Sequence, residues 1–222
     1  MAASSCSRWI TAYFAESTSS CPTVRLADVA SVDLGRQRAP KYETGPNMRP
    51  YIRAANLKDG RLSLDDVLSM HFNRDEIERL RLRKGDVLVT EGCGSLAEIG
   101  ANAVWNEELP GEVCFQNTVL RLRARAGRLL QEYLQVWASQ AYVRGEFADV
   151  ASGTSIYHLG AKRTAKMLLP LPGPDEQRTI VARVQACQSV ERESARSAEQ
   201  LKSVRRDLLR KLMNEPSGGN VL

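Results

Sequence analysis

The chain has 222 residues, 43% of them apolar and 26% charged, a globular balance that excludes a disordered class. Its longest apolar runs, Val87–Val89 and Met167–Leu169, are far too short to cross a bilayer, and Thr11 and Glu16 break any secretory h-region near the start. Lysine and arginine exceed the acids by five, which suits a nucleic-acid partner without demanding one.

Residues 1–21, rich in Ser, Thr and Ala, read as an extension with a short amphipathic patch from Trp9 to Phe14. A strand and turn open at Val24, and Val32–Gly35 follows. The basic stretch from Arg36 to Arg49 carries Pro40, Gly45 and Pro46 and predicts a long loop, the kind of segment that tends to be functional. Tyr51–Leu57 resumes a strand-like alternation, and Lys58-Asp59-Gly60 turns it. Helical spacing runs from Asn73 to Leu82, and Lys84-Gly85-Asp86 leads into a buried strand at Val87–Thr90. Val113–Phe115 and Thr118–Leu122 predict two more strands, and Leu129–Phe147 a helix with one apolar face. The order lacks a regular βαβ alternation, so the expected class is α+β.

Three prolines between Leu169 and Pro174 mark a boundary, after which Asp175 is placed to cap a new helix. From Glu176 to Asn214 there is neither proline nor glycine. Ile180, Val184, Cys187, Val190, Ser194, Ala198, Leu201, Val204, Leu208 and Leu212 recur at spacings of three and four, the stripe of a coiled coil with a small-residue middle. Such a helix is roughly 58 Å long at 1.5 Å per residue. A globule of this size is only about 45 Å across, so the helix is expected to project and to need a partner helix on its stripe. The domain expectation is therefore an extension (1–21), a globular domain (22–174), a long helix (175–214) and a flexible tail (215–222).

Chemistry-bearing motifs are sparse. Gly92-Cys93-Gly94 lacks the third glycine and following helix of a nucleotide loop. No Asn/Asp-Pro-Pro-aromatic segment is present, and Glu91 is followed by Gly92 and Cys93 rather than by the lysine a metal-dependent nuclease would want; Asp86 is better placed as a turn residue. Cys6, Cys21, Cys93, Cys114 and Cys187 form no Cys-x-x-Cys pair, and His71 and His158 are the only histidines. These features predict no disulfide framework, no metal, no catalytic residues and a reduced, cytoplasmic protein.

Several segments together resemble the target-recognition domain of the specificity subunits of type I restriction-modification systems. They are Val24–Ala30, Tyr51–Gly60, Leu82–Leu88, Cys114–Asn117, and Leu169-Pro170-Leu171-Pro172 with Glu176, Gln177 and Ile180 leading into the helix. Leu171 stands where the family pattern has a second proline. Family members hold two recognition domains and two long helices, so this chain resembles a half-subunit. The resemblance implies a non-enzymatic DNA reader that pairs with a second copy through antiparallel helices and recognises a bipartite double-stranded site. It implies a DNA methyltransferase subunit as partner, a restriction/translocase subunit as a further one, and S-adenosylmethionine on the methyltransferase alone.

Base reading needs Arg or Lys for guanine and Asn or Gln for adenine. Arg36, Gln37, Arg38, Lys41, Tyr42, Arg49 and Arg53 supply one candidate set. The segment with Ser152, Thr154, Ser155, Tyr157 and His158 resembles a second DNA-facing loop of the family. The alternative to this reading is a coiled-coil adaptor whose globular domain binds protein.

Overall fold

In chain order the elements are α1 (Ser5–Thr18), β1 (Thr23–Arg25), β2 (Ala30–Leu34), β3 (Met48–Ile52), β4 (Leu68–His71), α2 (Arg74–Leu80), β5 (Val87–Thr90), β6 (Gly92–Cys93), β7 (Asn102–Val104), β8 (Cys114–Phe115), β9 (Val119–Ala124), α3 (Gln131–Val143), β10 (Tyr157–His158), β11 (Leu168–Pro170) and α4 (Pro174–Asn214). They come from a computed structural model that describes residues 4–58 and 60–214, the side chains at 208 and 211–214 excepted. Asp59 of the expected turn, the side chains of Leu208 and Leu212, and the 215–222 tail thus lie outside the described residues.

A four-stranded antiparallel sheet in the order β2-β9-β5-β7 organises the domain. Side chains alternate across a strand, so the central strands β5 and β9 each feed two cores. Val87, Val89, Leu120 and Leu122 face a helical layer of α1, α3 and the start of α4. Leu88, Ala103 and Val119 face a smaller sheet, β8-β3-β4, and α2. The class is α+β as expected, in three layers.

The helices follow their sequence signals with two adjustments. Asn73 caps α2: its side chain accepts from the Glu76 N–H while the Glu76 carboxylate accepts from the Asn73 N–H, a reciprocal capping box. The helix expected up to Phe147 stops at Val143, because Gly145 adopts φ 77°, a left-handed turn that separates it from the short helix Glu146–Val150. The long helix begins at Pro174, whose fixed φ suits a first helical position, so Asp175 lies inside the first turn and pairs with Arg178 instead of capping.

Two expectations are revised. The 1–21 extension, over its described residues, belongs to the domain: α1, capped by Ser4, buries Cys6, Ile10 and Phe14 in the helical core. The cysteines are not all scattered thiols either, since Cys6 on α1 and Cys187 on α4 form a disulfide with Cα atoms 6.1 Å apart, across 181 residues of sequence.

The start of α4 is locked to the domain. Ile180, Val181 and Val184 are buried, and Gln177 is fully buried with its amide satisfied on both sides. Its Oε1 accepts from the Leu130 N–H at 2.9 Å, and its Nε2 donates to the Arg128 and Pro172 carbonyls, each at 2.9 Å. Past Cys187 the helix leaves the domain, and Val190, Ser194, Ala198, Leu201 and Val204 are all exposed.

Candidate nucleic-acid interface

One end of the main sheet gathers loops from distant parts of the sequence. Gly35 and Arg36 leave β2 there, and the Arg36 N–H donates to the Phe115 carbonyl at 3.1 Å. Gln116, Asn117 and Thr118 enter β9 beside them: the Gln116 N–H donates to Ile52, the Asn117 N–H to Arg36, and the Thr118 hydroxyl accepts from the Ala54 N–H at 3.1 Å. Glu91, at the end of β5, donates its N–H to Thr118 and accepts from the Leu159 N–H, which brings β10 to the same place.

There the ribbon of β6 and β10 pairs Tyr157 with Cys93 and His158 with Gly92. A reciprocal pair of backbone hydrogen bonds between Ser152 and His158 (2.8 and 3.0 Å) closes the intervening loop. Gly153, at φ 126°, lets it turn where a Cβ would strike the Ile156 carbonyl. Two charged groups hold this closed loop from behind. The Glu91 carboxylate meets His158 Nδ1 at 3.1 Å and accepts from the Gly160 N–H at 3.3 Å. Arg163 donates to the His158 carbonyl at 2.7 Å and to the Val150 carbonyl at 3.1 Å. Ser152, Thr154, Ser155, Ile156 and His158 are thereby displayed on a pinned loop, all exposed, with Tyr157 half-buried.

The arginines of the 36–53 stretch are arranged differently. Arg36 is 11% exposed, pairs with Glu76 at 2.7 Å, donates to the His71 carbonyl and lies 3.5 Å over the Tyr42 ring. It clamps the loop to α2. Hydrogen bonding from Arg36, then from Lys41, holds the Tyr42 phenol below its usual pKa. Arg49 pairs with Glu112 at 3.1 Å, and both line a cleft with Arg74, Arg81 and Arg83. Arg53 pairs with Asp66 and leaves its buried Nε unpartnered. Gln37, Arg38 and Lys41 remain exposed on the loop, Arg38 paired with Glu43 at 3.0 Å. Backbone bonds thus tie Arg36 and the residue after Arg53 to the sheet end that carries the 152–158 loop, whereas Arg49 pairs with Glu112.

A cleft of about 640 Å³ is lined by Ala54, Lys58, Cys93, Glu98, Asn102 and Tyr142, among others. Asp86, fully buried, accepts from the Arg83 N–H at 2.8 Å and takes both Arg123 nitrogens at 2.6 Å, so it closes a turn as its position predicted. Burial pushes the Cys114 thiol up to about 12, with Glu112 adding to the effect. Among the described residues no group of three His, Cys, Asp or Glu could hold a metal, and no helix is long and apolar enough to cross a membrane.

Sequence reasoning missed Gln116 and Asn117 as site residues. Both are half-exposed at the meeting point of the loops, and both are residue types suited to adenine edges. The signal was their place before a buried strand. Arg163 gave none, because its role exists only through the carbonyls that it holds.

No family model matches the chain. It is similar to the EcoKI type I restriction enzyme specificity subunit of Escherichia coli K12, 24% identical over 137 residues that make up 61% of this chain and 29% of that protein. Among solved structures it resembles the HsdS subunit from Thermoanaerobacter tengcongensis, with a TM-score of 0.63 at 20% identity, covering 93% of this chain and 50% of that one. The fold is that of a type I specificity subunit. A chain of a type I restriction-modification assembly matches equally well, with a TM-score of 0.63 at 21% identity, over 93% of this chain and 51% of its own. The chain thus spans about three-tenths of the curated relative and about half of each of these two solved chains. The curated relative is a specificity subunit by name.

Proposed function

We propose that the chain is a DNA sequence-specificity subunit without catalytic residues, acting in the cytoplasm to direct a methyltransferase partner and, with it, a restriction/translocase subunit. The observation that carries this reading is the sheet end itself: a pinned loop displaying Ser152, Thr154, Ser155 and His158 beside Gln37, Gln116 and Asn117, on the fold of the specificity subunits. Donors and acceptors fixed by backbone pairing are suited to major-groove edges, which demand a set register. Arg38, Lys41 and Lys162, all exposed, are suited to phosphate contacts that fix that register. S-adenosylmethionine belongs to the methyltransferase, and this chain needs no cofactor.

A bipartite site follows from a homodimer. A twofold axis places two identical readers at one separation, so the target becomes an inverted repeat with a constant spacer set by the helices. Random-sequence duplex selected on the purified protein and then sequenced tests this, and two half-sites at a fixed spacing are expected. Thr154→Ala and Asn117→Ala should each relax a half-site position by about 1–3 kcal/mol of discrimination. Arg36→Ala should lower stability before it changes any base preference. No enriched sequence, with binding insensitive to salt, would leave the protein-adaptor reading standing instead.

A further inference from the structure

The chain has two histidines, and their neighbours place the ring protons in opposite ways. His71 Nδ1 accepts from the Asn47 N–H at 3.2 Å, so its own proton sits on Nε2. His158 Nδ1 instead faces the Glu91 carboxylate at 3.1 Å. An ionised carboxylate only accepts, so Nδ1 carries the proton and donates. The other Glu91 oxygen accepts from the Gly160 N–H at 3.3 Å, which sets the two ends of the carboxylate on two donors. Glu91 is 8% exposed at the end of β5, and its backbone is bonded to Thr118 and Leu159, so the carboxylate has little freedom to turn away. Gly92 backs the ring: a Cβ there would lie 3.0 Å from Nδ1 and 3.1 Å from Cε1. The Nδ1 edge is thus enclosed. The side chain as a whole is 53% exposed, and no hydrogen bond engages its Nε2 among the described residues.

In the neutral ring, a proton held on Nδ1 leaves Nε2 an acceptor. On a major-groove edge an acceptor meets the exocyclic amino groups, adenine N6 or cytosine N4, and is turned away by guanine O6 and thymine O4. The opposite tautomer, on the same ring in the same place, would donate and choose the reverse. Backbone contacts hold that place independently of Glu91. His158 exchanges two backbone bonds with Ser152, and its carbonyl accepts from Arg163 at 2.7 Å. We infer that Glu91 is a positioning residue that sets the polarity of base reading at His158 and makes it a reader of an amino-bearing base. The inference rests on the DNA-specificity reading above and adds the class of base at one half-site position, with the group that selects it.

Nitrogen-15 spectra of the histidine rings in the free chain, at about pH 8, test the tautomer without any DNA. His158 should carry its proton on Nδ1 and His71 on Nε2. A His158 ring protonated on Nε2, or on both nitrogens, would overturn the inference. Glu91→Gln then tests the consequence at constant shape. Its side-chain oxygen still serves the Gly160 N–H, so its amide N–H faces Nδ1, donates to it and moves the ring proton to Nε2. With duplexes enriched on the wild type, one half-site position should prefer an amino-bearing base by about tenfold, and Glu91→Gln should reverse that preference with unchanged far-UV circular dichroism. In a His158→Ala background the same substitution should change nothing, which separates positioning from a general loosening of the loop. Should Glu91→Gln fail to fold, a base analogue lacking the amino group decides the matter. It should weaken the wild type about tenfold at that one position and leave His158→Ala indifferent. An unchanged preference in Glu91→Gln, or an equal shift in the His158→Ala background, overturns the inference and leaves the specificity reading standing. A wild-type chain that enriches no sequence sinks both.

Discussion

The two halves of α4 obey one periodicity and meet opposite fates. Ile180 and Leu201 occupy equivalent places on the stripe, yet Ile180 is 1% exposed against α1, α3 and the sheet, and Leu201 is 71% exposed. Spacing reports that a face must be covered and is silent about what covers it. Ile180, Val184 and Cys187, expected to meet a partner helix, are core and disulfide residues of their own domain; the exposed part of the stripe begins at Val190. The sharpest way to break this division is a pair of alanine substitutions measured by urea unfolding at a concentration where the chain is monomeric. Ile180→Ala should cost about 2–5 kcal/mol, since it empties a packed site.

The disulfide sits at the boundary between the halves, so removing it tests where the boundary lies. Cys187→Ser, or reduction of the wild type, should lower stability by about 2–4 kcal/mol, because the link closes a loop of nearly the whole chain. The loss should appear in thermal unfolding with and without reductant and vanish in the variant. An equal response to reductant in both would mean that the link contributes nothing to the attachment of α1.

Gln177 sharpens the buried side. It serves three backbone groups, so Gln177→Leu takes that partner from the Leu130 N–H and from the Arg128 and Pro172 carbonyls. A loss of about 1–3 kcal/mol is expected, with faster hydrogen exchange at Leu130 as the local readout.

What was legible in the sequence divides along similar lines. The α2 capping box, the buried strand Val87–Thr90, the turn at Asp86 and the long helix were all written locally, in residues within a few positions of one another. β4 and β7 were not, because each is a short strand whose identity comes from a neighbour far along the chain: Leu68–His71 from Met48–Tyr51, and Asn102–Val104 from Val87–Val89. α1 was undervalued for the same reason. Cys6, Ile10 and Phe14 spell an apolar face, but only α3 and α4 make it core. At the candidate site the loops were visible as composition, whereas the state of each arginine was not. Arg36 and Arg53 carry the charge of base-readers, and their partners Glu76 and Asp66 lie 40 and 13 residues away. Pairing across such distances is a property of the fold.

The smallest expected effect gives the strictest test of the division. Leu201→Ala in the monomer should change stability by no more than about 0.5 kcal/mol, since an exposed leucine has little packing to lose and alanine favours the helix. Where a second copy covers the stripe, as proposed above, the same substitution removes an apolar side chain from that contact, and it should then cost association. The contrast between the two conditions carries the argument, because a helix folded back on its own domain would lose the same amount in both. A monomer loss above about 1 kcal/mol would mean that the outer half is covered in cis, and the two halves of α4 would then differ in degree alone.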